Sequence, residues 1–542
     1  MNDSTSPVLS ADAAAVDPAA APRLAFADLD GAKRWANALP LTNVAQVYEA
    51  VHGQLKALSA AEFPPRERAT LAEVLREQVA HLHTELARRY AGKPQPAVDR
   101  ELEAAEQAIA LWTALWEQYS SCLKPLLEGD PQLAGVKAKL LQRGLFVGKQ
   151  LLLVHGLARR TPPPALWQEL HAYYRLAEIL ECAVAAVSDD LMPNAIGISC
   201  YSTYSHALLL GLADLCAMSV KQIELADRWL GFWSRKIFPY AQQRETEGPL
   251  LLIDLDAASG AVLAAAAPAQ SGASMRFGYP GKLATSVRGR LKRLQSGANP
   301  AELQLGHDCS VEQCTALLVH LDLHWCQTAR VHPGAAKTTL ELCGGGINAA
   351  YFRIGGRTFD RKDPLGRMSF QGAQVLQTLG PLTDYDRGKE DAERTYAWER
   401  WSGRYEWREA SLVRESPATH RWQLEQLAIV RDEERVRLGS LSRVAQDLNG
   451  SLALSVKLWA GVPHAIALRP LTTSMAEDAP IAGLRLAETP DEKACLVLPS
   501  RTFNPSRVLR SIEVGPERRF RLTRLLQRGA DFERVAFEES TG

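Results

Sequence analysis

The sequence carries no net charge, because 62 basic residues balance 62 acidic residues over 542 positions. A protein that holds long DNA or RNA by displacing counterions usually shows a clear basic excess. The sequence also contains no run of about 18 to 20 uncharged apolar residues, the length that a membrane-spanning helix needs. These absences argue against binding of long nucleic acid and against a membrane span.

The features of an exported protein are missing as well. The first 22 residues are rich in alanine, proline, serine and aspartate and have neither the basic start nor the apolar centre of a signal peptide. The nine cysteines are scattered and odd in number, as is typical of reduced thiols rather than of a disulfide framework. We therefore expect a cytoplasmic protein with a disordered lead-in over residues 1–30.

Residues 31–245 show the apolar periodicity of amphipathic helices. Prolines at 64–65 and 162–164 mark breaks between helices. The periodic positions, spaced mostly by three and four residues, are Val51, Leu55, Leu58, Leu71, Val74, Leu75, Val79, Leu82 and Leu86. This pattern predicts an N-terminal all-α bundle or array, and we expect it to bind a protein partner because helical arrays commonly do so.

The pattern changes after the helices, and residues 246–360 are predicted to form a small α+β middle region. Apolar runs at 250–255 and 261–266 flank a turn and predict a β-hairpin. A basic helix is expected at 283–294 and a second helix at 311–328.

Three consecutive glycines at 344–346 follow a predicted strand at 338–343. A further apolar segment at 350–354 is predicted as another strand, so that the glycines form a strand-to-strand turn. The polar residues 361–392 are predicted to be a linker.

Residues 393–542 contain short apolar runs with period-two alternation and short connections, which predict one antiparallel β-barrel with a C-terminal extension. An arginine and tryptophan cluster opens this region. Arginine forks hold phosphates and stack on purines, and aromatic rings stack on bases. The cluster consists of Arg394, Trp398, Arg400, Trp401, Arg404, Trp407 and Arg408.

The cluster carries a family motif in weakened form. The motif consists of an Arg-x-x-x-Arg element ahead of a barrel and an Asp/Asn-x-Ser-x-x-Gly turn. The first element is present as Arg400 to Arg404, and of the second only Ser416 is kept. Arg414 stands in place of the acceptor, and Thr419 replaces the glycine that lets the backbone approach a ligand. With these departures, the C-terminal region resembles the PilZ domains, bacterial receptors for cyclic di-GMP.

A wider resemblance covers most of the chain. Segments at 35–41, 344–356, 439–443 and 456–459 are similar to long proteobacterial proteins of unassigned function that end in a degenerate PilZ-like domain. The resemblance implies a regulator without a resident cofactor that takes cyclic di-GMP as a ligand. The residues that it implies for binding are Arg400, Arg404, Arg408, Ser416 and Trp401.

Other interpretations stay open. The arginines alternate with glutamates and are compatible with a solvated ion-pair face, in which case the protein is a ligand-free interaction scaffold. A third alternative is a metal-dependent enzyme at residues 307–332, where His320 and His324 share a helix face. No other catalytic constellation is recognisable, so a non-enzymatic regulator is the preferred prediction.

Overall fold

The computed structural model describes residues 23–192, 197–245, 248–265, 272–328, 337–361, 384–406, 408–414, 417–433, 435–471, 479–512 and 517–541. The chain divides into two compact units. Unit 1 comprises residues 1–84 with 110–137, and unit 2 comprises residues 85–109 with 138–542. Most of the predicted lead-in lies outside the described residues.

The predicted helical region is helical. Its α-helices in the described residues are α1 Leu29–Asn37, α2 Val44–Ala60, α3 Pro65–Tyr90, α4 Asp99–Ser120, α5 Leu123–Leu127, α6 Pro131–Ala134, α7 Lys137–Leu157, α8 Pro164–Ile179, α9 Cys200–Leu212 and α10 Val220–Trp233. Helices α3 and α8 begin at prolines of the predicted breaks, because a proline in the first turn loses no hydrogen bond. Ser199 and Ser219 form capping boxes at the starts of α9 and α10.

Unit 1 is built on the predicted apolar stripes of α2 and α3. Val51, Leu55, Leu71 and Leu75 are fully buried. Gln118 of α4 is also buried, and its amide donates to the carbonyl oxygen of Leu55 at 3.2 Å, so this polar group is satisfied within the core.

The helical part of unit 2 is centred on α7, which is buried from Leu140 onwards along nearly its whole length. Such an element needs partners for its polar side chains. Arg143 forms a buried ion pair of 3.0 Å with Asp189, and Lys149 lies 3.0 Å from Asp227. These pairs offset the cost of placing charges inside the protein.

The middle region begins with the predicted hairpin. Strands β1 Leu250–Asp254 and β2 Val262–Ala264 pair antiparallel, and β3 Met275–Gly278 pairs with the other edge of β1. The two predicted helices follow as α11 Gly281–Gln295 and α12 Val311–Cys326, which pack against each other.

The prediction for residues 350–354 was wrong, because they belong to helix α13, Gly346–Gly355, and not to a strand. The helix starts directly after β4, Lys337–Cys343. Gly345 at its N-cap has φ of 111°, a conformation that glycine adopts without strain, so the chain can turn from strand into helix within three residues. Helix α14, Asp384–Thr395, precedes the remaining strands.

The remaining strands close two antiparallel barrels where the sequence predicted one barrel with an extension. Barrel 1 consists of β4 with β5 Glu399–Glu406, β6 Glu409–Arg414, β7 Leu427–Asp432, β8 Arg435–Gln446 and β9 Leu452–Leu458. Barrel 2 consists of β10 Pro463–Pro470, β11 Ile481–Leu486, β12 Cys495–Pro499, β13 Val508–Ser511, β14 Arg518–Arg528 and β15 Phe532–Thr541.

The two barrels share one topology. Numbered within each barrel, the strands lie in the order first, second, third, sixth, fifth, fourth, and the first strand pairs with the fourth to close the cylinder. Barrel 1 differs in having α13 and α14 inserted between its first and second strands. The predicted succession of helical region, α+β middle and antiparallel barrel is confirmed. In the described part of the chain, no helix is both long and apolar enough to cross a bilayer.

Candidate anion-binding cleft between the barrels

The predicted Arg-x-x-x-Arg motif lies within a barrel strand and not ahead of the barrel. Arg400 and Arg404 both belong to β5, where residues four apart share a face, and both are exposed on the outside of barrel 1. Their Cα atoms are about 13 Å apart at the usual rise of a strand. Within the described residues, neither guanidinium has a hydrogen bond or ion pair, so both remain available to an anion.

Trp401 lies between these arginines on the opposite face of β5. Its side chain is 1% exposed and packs in the core of barrel 1, with its ring 6.1 Å from that of Trp422 in an edge-to-face contact. The ring therefore does not reach a ligand on the outer surface. Its burial stabilises the barrel and removes this ring as a stacking platform for a ligand at Arg400 and Arg404.

Arg408 is placed apart from the other two arginines, at the turn between β5 and β6. Its guanidinium lies 2.6 Å from Glu492 and 3.2 Å from Asp491, both in barrel 2. The predicted set is therefore not brought together at one point. Ser416 and Trp407 lie outside the described residues.

A cleft of about 990 Å³ opens where Arg408 meets barrel 2. This volume is at the upper end of the range for small-molecule sites, which is about 300 to 1,000 Å³. Both barrels and the segment that joins them contribute to its walls. The lining residues are Arg353, Ile354, Tyr405, Arg408, Arg435, Val436, Arg437, Leu458, Trp459, Ala460, Gly461, Val462, Pro463, Ala487, Glu488, Thr489 and Asp491.

Two arginines of this cleft have no carboxylate partner among the described residues. Arg435 and Arg437 are two residues apart in β8 and therefore project from the same side of the strand. Arg437 lies over the ring of Tyr405, with 5.2 Å between guanidinium carbon and ring centroid. This contact orients the guanidinium without neutralising its charge.

The other basic side chains of the cleft are already engaged. Arg353 donates to the carbonyl oxygen of Tyr396 at 2.9 Å and pairs with Glu393. Arg408 is held by the acidic residues of barrel 2, as described above. Arg435 and Arg437 are therefore the side chains best placed to receive an additional anion.

The segment between the barrels is short and conformationally restricted. Gly461 has φ of +91°, and a Cβ atom at this position would lie 2.2 Å from the carbonyl oxygen of Ala487. The backbone amide of Ala487 in turn donates to the carbonyl oxygen of Val462 at 3.1 Å. Glycine at this position lets the connection lie directly against the β11–β12 loop, which brings the two walls of the cleft together.

Barrel 1 also bonds to the helical part of unit 2. Gln95 and Trp422 exchange two backbone hydrogen bonds of 2.7 Å, and the amide of Gln446 donates to Arg159 at 2.7 Å. The guanidinium of Arg443 pairs with Asp214. These contacts join barrel 1 directly to the helices of unit 2.

The candidate metal residues have other roles in the structure. A nitrogen of His320 lies 2.6 Å from the carbonyl oxygen of Ala213, and the rings of His320 and His324 are 4.3 Å apart. Burial and the neighbouring Cys309 raise the pKa of Cys314 to about 12, which keeps this thiol protonated. No group of three or more metal-ligand side chains occurs in the part of the chain that the structure describes.

The unpaired arginines of the cleft were not singled out from the sequence. An Arg-x-Arg pair at the start of a strand was visible, because positions two apart share a face. Its importance depends on the approach of barrel 2, which brings residues 487–491 opposite β8. Sequence spacing alone does not contain that information.

Comparison with known protein families identifies the helical region. The family model for the N-terminal domain of the cyclic-di-GMP receptor FimW matches residues 30–239. This range covers α2 to α10 and most of α1, and it includes no strand of either barrel. No curated protein and no solved structure shows significant similarity to the chain. The helical region is thus similar to the N-terminal domain of a cyclic-di-GMP receptor family.

Proposed function

We propose that this chain is a cyclic-di-GMP receptor that binds its ligand in the cleft between the barrels and regulates a protein partner through its helical region. The observation that carries this proposal is the pair Arg435 and Arg437, two cations without a described carboxylate partner inside a cleft of ligand size. The match of the helical region supports the choice of ligand class.

The chemistry of the cleft suits a cyclic dinucleotide. Such a ligand carries two phosphodiester anions, which arginine forks bind through paired hydrogen bonds. Two guanidinium groups on one strand face, about 7 Å apart at their Cα atoms, provide several donors to one or both phosphates. Tyr405 adds an aromatic surface beside Arg437.

The motif residues Arg400 and Arg404 form the competing site within the same function. They are exposed and have no described partner, but they do not line the cleft. A flat barrel surface encloses less of a ligand than a cleft does, and enclosure is what gives small-molecule sites their affinity. We therefore assign the ligand to the cleft and treat the motif face as the alternative.

The receptor acts as a regulator and not as an enzyme in this proposal. Ligand in the cleft shifts barrel 1 relative to barrel 2, and the contacts of barrel 1 with Gln95, Arg159 and Asp214 pass this shift to the helices. The helices carry the surface for the protein partner. Cyclic di-GMP is an intracellular signal, so the proposal places the protein in the cytoplasm.

The test is calorimetric titration of the full chain with cyclic di-GMP, using cyclic di-AMP and GTP as controls. Two matched double variants separate the sites: Arg435→Ala with Arg437→Ala in the cleft, and Arg400→Ala with Arg404→Ala on the motif face. Saturable binding that only the cleft variant abolishes is the expected result.

Loss of binding in the motif variant alone would move the site to the outer face of barrel 1. The absence of heat in the wild-type chain at high ligand concentration would leave the ligand-free scaffold as the better description. In that case, affinity capture with the helical region intact becomes the way to find its partner.

A further inference from the structure

The loop between β11 and β12, residues 487–494, places carboxylates against the cleft. We call it the acidic loop because Glu488, Asp491 and Glu492 lie in it. Thr489 holds its conformation, since its amide donates to the carbonyl oxygen of Glu492 at 2.9 Å and its hydroxyl accepts from the amide of Glu492 at 3.1 Å. These hydrogen bonds fix the backbone from which the side chains of Asp491 and Glu492 project.

Both carboxylates engage Arg408. One terminal nitrogen of the guanidinium lies 2.6 Å from Glu492 and the other lies 3.2 Å from Asp491. These are the nitrogens that would form a bidentate contact with a phosphate. The carboxylates of the acidic loop therefore occupy the N–H donors of Arg408 that an anionic ligand would need.

Glu492 has a second partner on its own barrel. It pairs with Arg534 of β15, whose guanidinium lies 5.4 Å from the ring centroid of Trp459. Asp491 is more loosely held: its carboxylate is 59% exposed and lies at the longer of the two distances from Arg408. The pair of Glu492 with Arg534 thus lies within barrel 2, whereas the contacts of Asp491 and Glu492 with Arg408 cross from barrel 2 to barrel 1.

We propose that the acidic loop is a built-in competitor for anionic ligand at Arg408, so that ligand binding exchanges Asp491 and Glu492 for phosphate and releases the crossing contact between the barrels. This inference rests on the proposed function, because it assigns the exchange to the cleft that binds the nucleotide. The pair of Glu492 with Arg534 keeps the loop on barrel 2 after the exchange.

Removing the competitor strengthens ligand binding, which is the opposite of what loss of a ligand contact would do. Asp491→Asn removes the charge with little change in shape and leaves Glu492 and Arg534 in place. Exposed ion pairs contribute about 0.2 to 1 kcal/mol, so the dissociation constant for cyclic di-GMP should fall by a factor of about 1.4 to 5. The variant Asp491→Asn with Glu492→Gln should bind more tightly still.

The experiment is titration of the full chain and its variants with cyclic di-GMP and, separately, with inorganic pyrophosphate. Glu538→Gln is the matched control, because Glu538 is 61% exposed, pairs with Arg521 of the same barrel and lies outside the cleft. Unchanged affinity in this control together with tighter binding by Asp491→Asn supports the proposal. Circular dichroism verifies that each variant is folded.

Wild-type binding of cyclic di-GMP with unchanged or weaker binding by Asp491→Asn would overturn the competitor while leaving the receptor intact. If cyclic di-GMP gives no heat but pyrophosphate binds Asp491→Asn more tightly than wild type, the competitor stands and the proposed ligand fails. Failure of both the wild-type chain and the folded, doubly substituted chain to bind either anion would overturn the competitor and the receptor together.

Discussion

The guanidinium Nε of Arg443 lies 3.0 Å from one carboxylate oxygen of Asp214 and 3.1 Å from the other, which joins β8 of barrel 1 to the segment after α9. Asp214 adopts a left-handed conformation with φ of 48°, and this turn directs its carboxylate towards the barrel. Both side chains remain about a third exposed. The contact is therefore an accessible point at which to test the coupling between the barrel and the helices.

Arg443→Ala should lower the free energy of unfolding by about 0.5 to 1 kcal/mol, because solvent screens a pair whose side chains are about a third exposed. Urea denaturation measures this change. Asp214→Asn keeps a side chain that tolerates the left-handed conformation, so a double-mutant cycle isolates the pair. If the two single effects add fully in the double variant, the ion pair does not contribute to stability.

Trp401→Ala should destabilise the protein by about 3 to 5 kcal/mol, the usual cost of removing a buried tryptophan from a core. Arg404→Ala, three residues along the same strand but exposed, should change stability by less than about 0.5 kcal/mol. Thermal denaturation compares the two variants. Equal stability of both would contradict the inward placement of Trp401 and restore its ring as a candidate stacking surface.

Gly461→Ala should destabilise the connection between the barrels by more than about 1 kcal/mol, because it adds a steric clash with Ala487 to the strain of a positive φ. Gly450→Ala is the matched control: its φ of +83° is similar, but its Cβ would meet only the side-chain amide of Gln446 at 3.9 Å. Chemical denaturation should show the larger loss for Gly461→Ala. Identical losses would mean that the backbone strain of the positive φ accounts for the whole effect and that the clash with Ala487 is relieved by a small shift.

Acid should destabilise barrel 1 through Glu399. Burial acts to raise the pKa of this carboxyl, but hydrogen bonds from His420 and Thr419 outweigh burial and lower the pKa to about 2. A carboxyl whose pKa is lower in the folded state stabilises the folded protein at pH values above its unfolded-state pKa of about 4.3. This stabilisation is lost as the pH falls from about 4.3 to about 2. The loss in the free energy of unfolding over this pH range is on the order of 3 kcal/mol.

Unfolding measured by urea between pH 7 and pH 2 tests this expectation, with Glu399→Gln as the comparison. The substitution removes the titrating group, so the stability of the variant should vary less with pH over the acidic window. Parallel pH profiles for the two proteins would show that another carboxyl is responsible.

The helical region was predictable because its periodicity is local. Leu55, Leu71 and Leu75 repeat at helical spacing, and each is buried as expected. The segment at 350–354 was misread because a short apolar run has no period of its own, and strand or helix is then decided by its surroundings. Here α13 packs against β10 and β11 of barrel 2, a contact with residues more than a hundred positions away.

The residue types that line the proposed site were expected from the sequence, but their positions were not. Arginine and aromatic side chains were expected to form it, and Arg408 does line the cleft. Arg435 and Arg437 were not singled out, because their place in the cleft depends on a second barrel that the sequence showed only as an extension. Repeated topology is hard to see in sequence, since strand order depends on long-range pairing while the apolar alternation is similar in many barrels.

The insertion in barrel 1 has a consequence for how the chain acquires its structure. Strand β4 is separated from its neighbour β5 by residues 344–398, whereas β10 and β11 of barrel 2 are separated only by residues 471–480. Closing the longer loop costs more entropy and raises the mean sequence separation of the contacts. Barrel 2 should therefore close quickly once it is synthesised. In barrel 1, by contrast, β4 leaves the ribosome early and has unpaired edges until β5 and β7 follow.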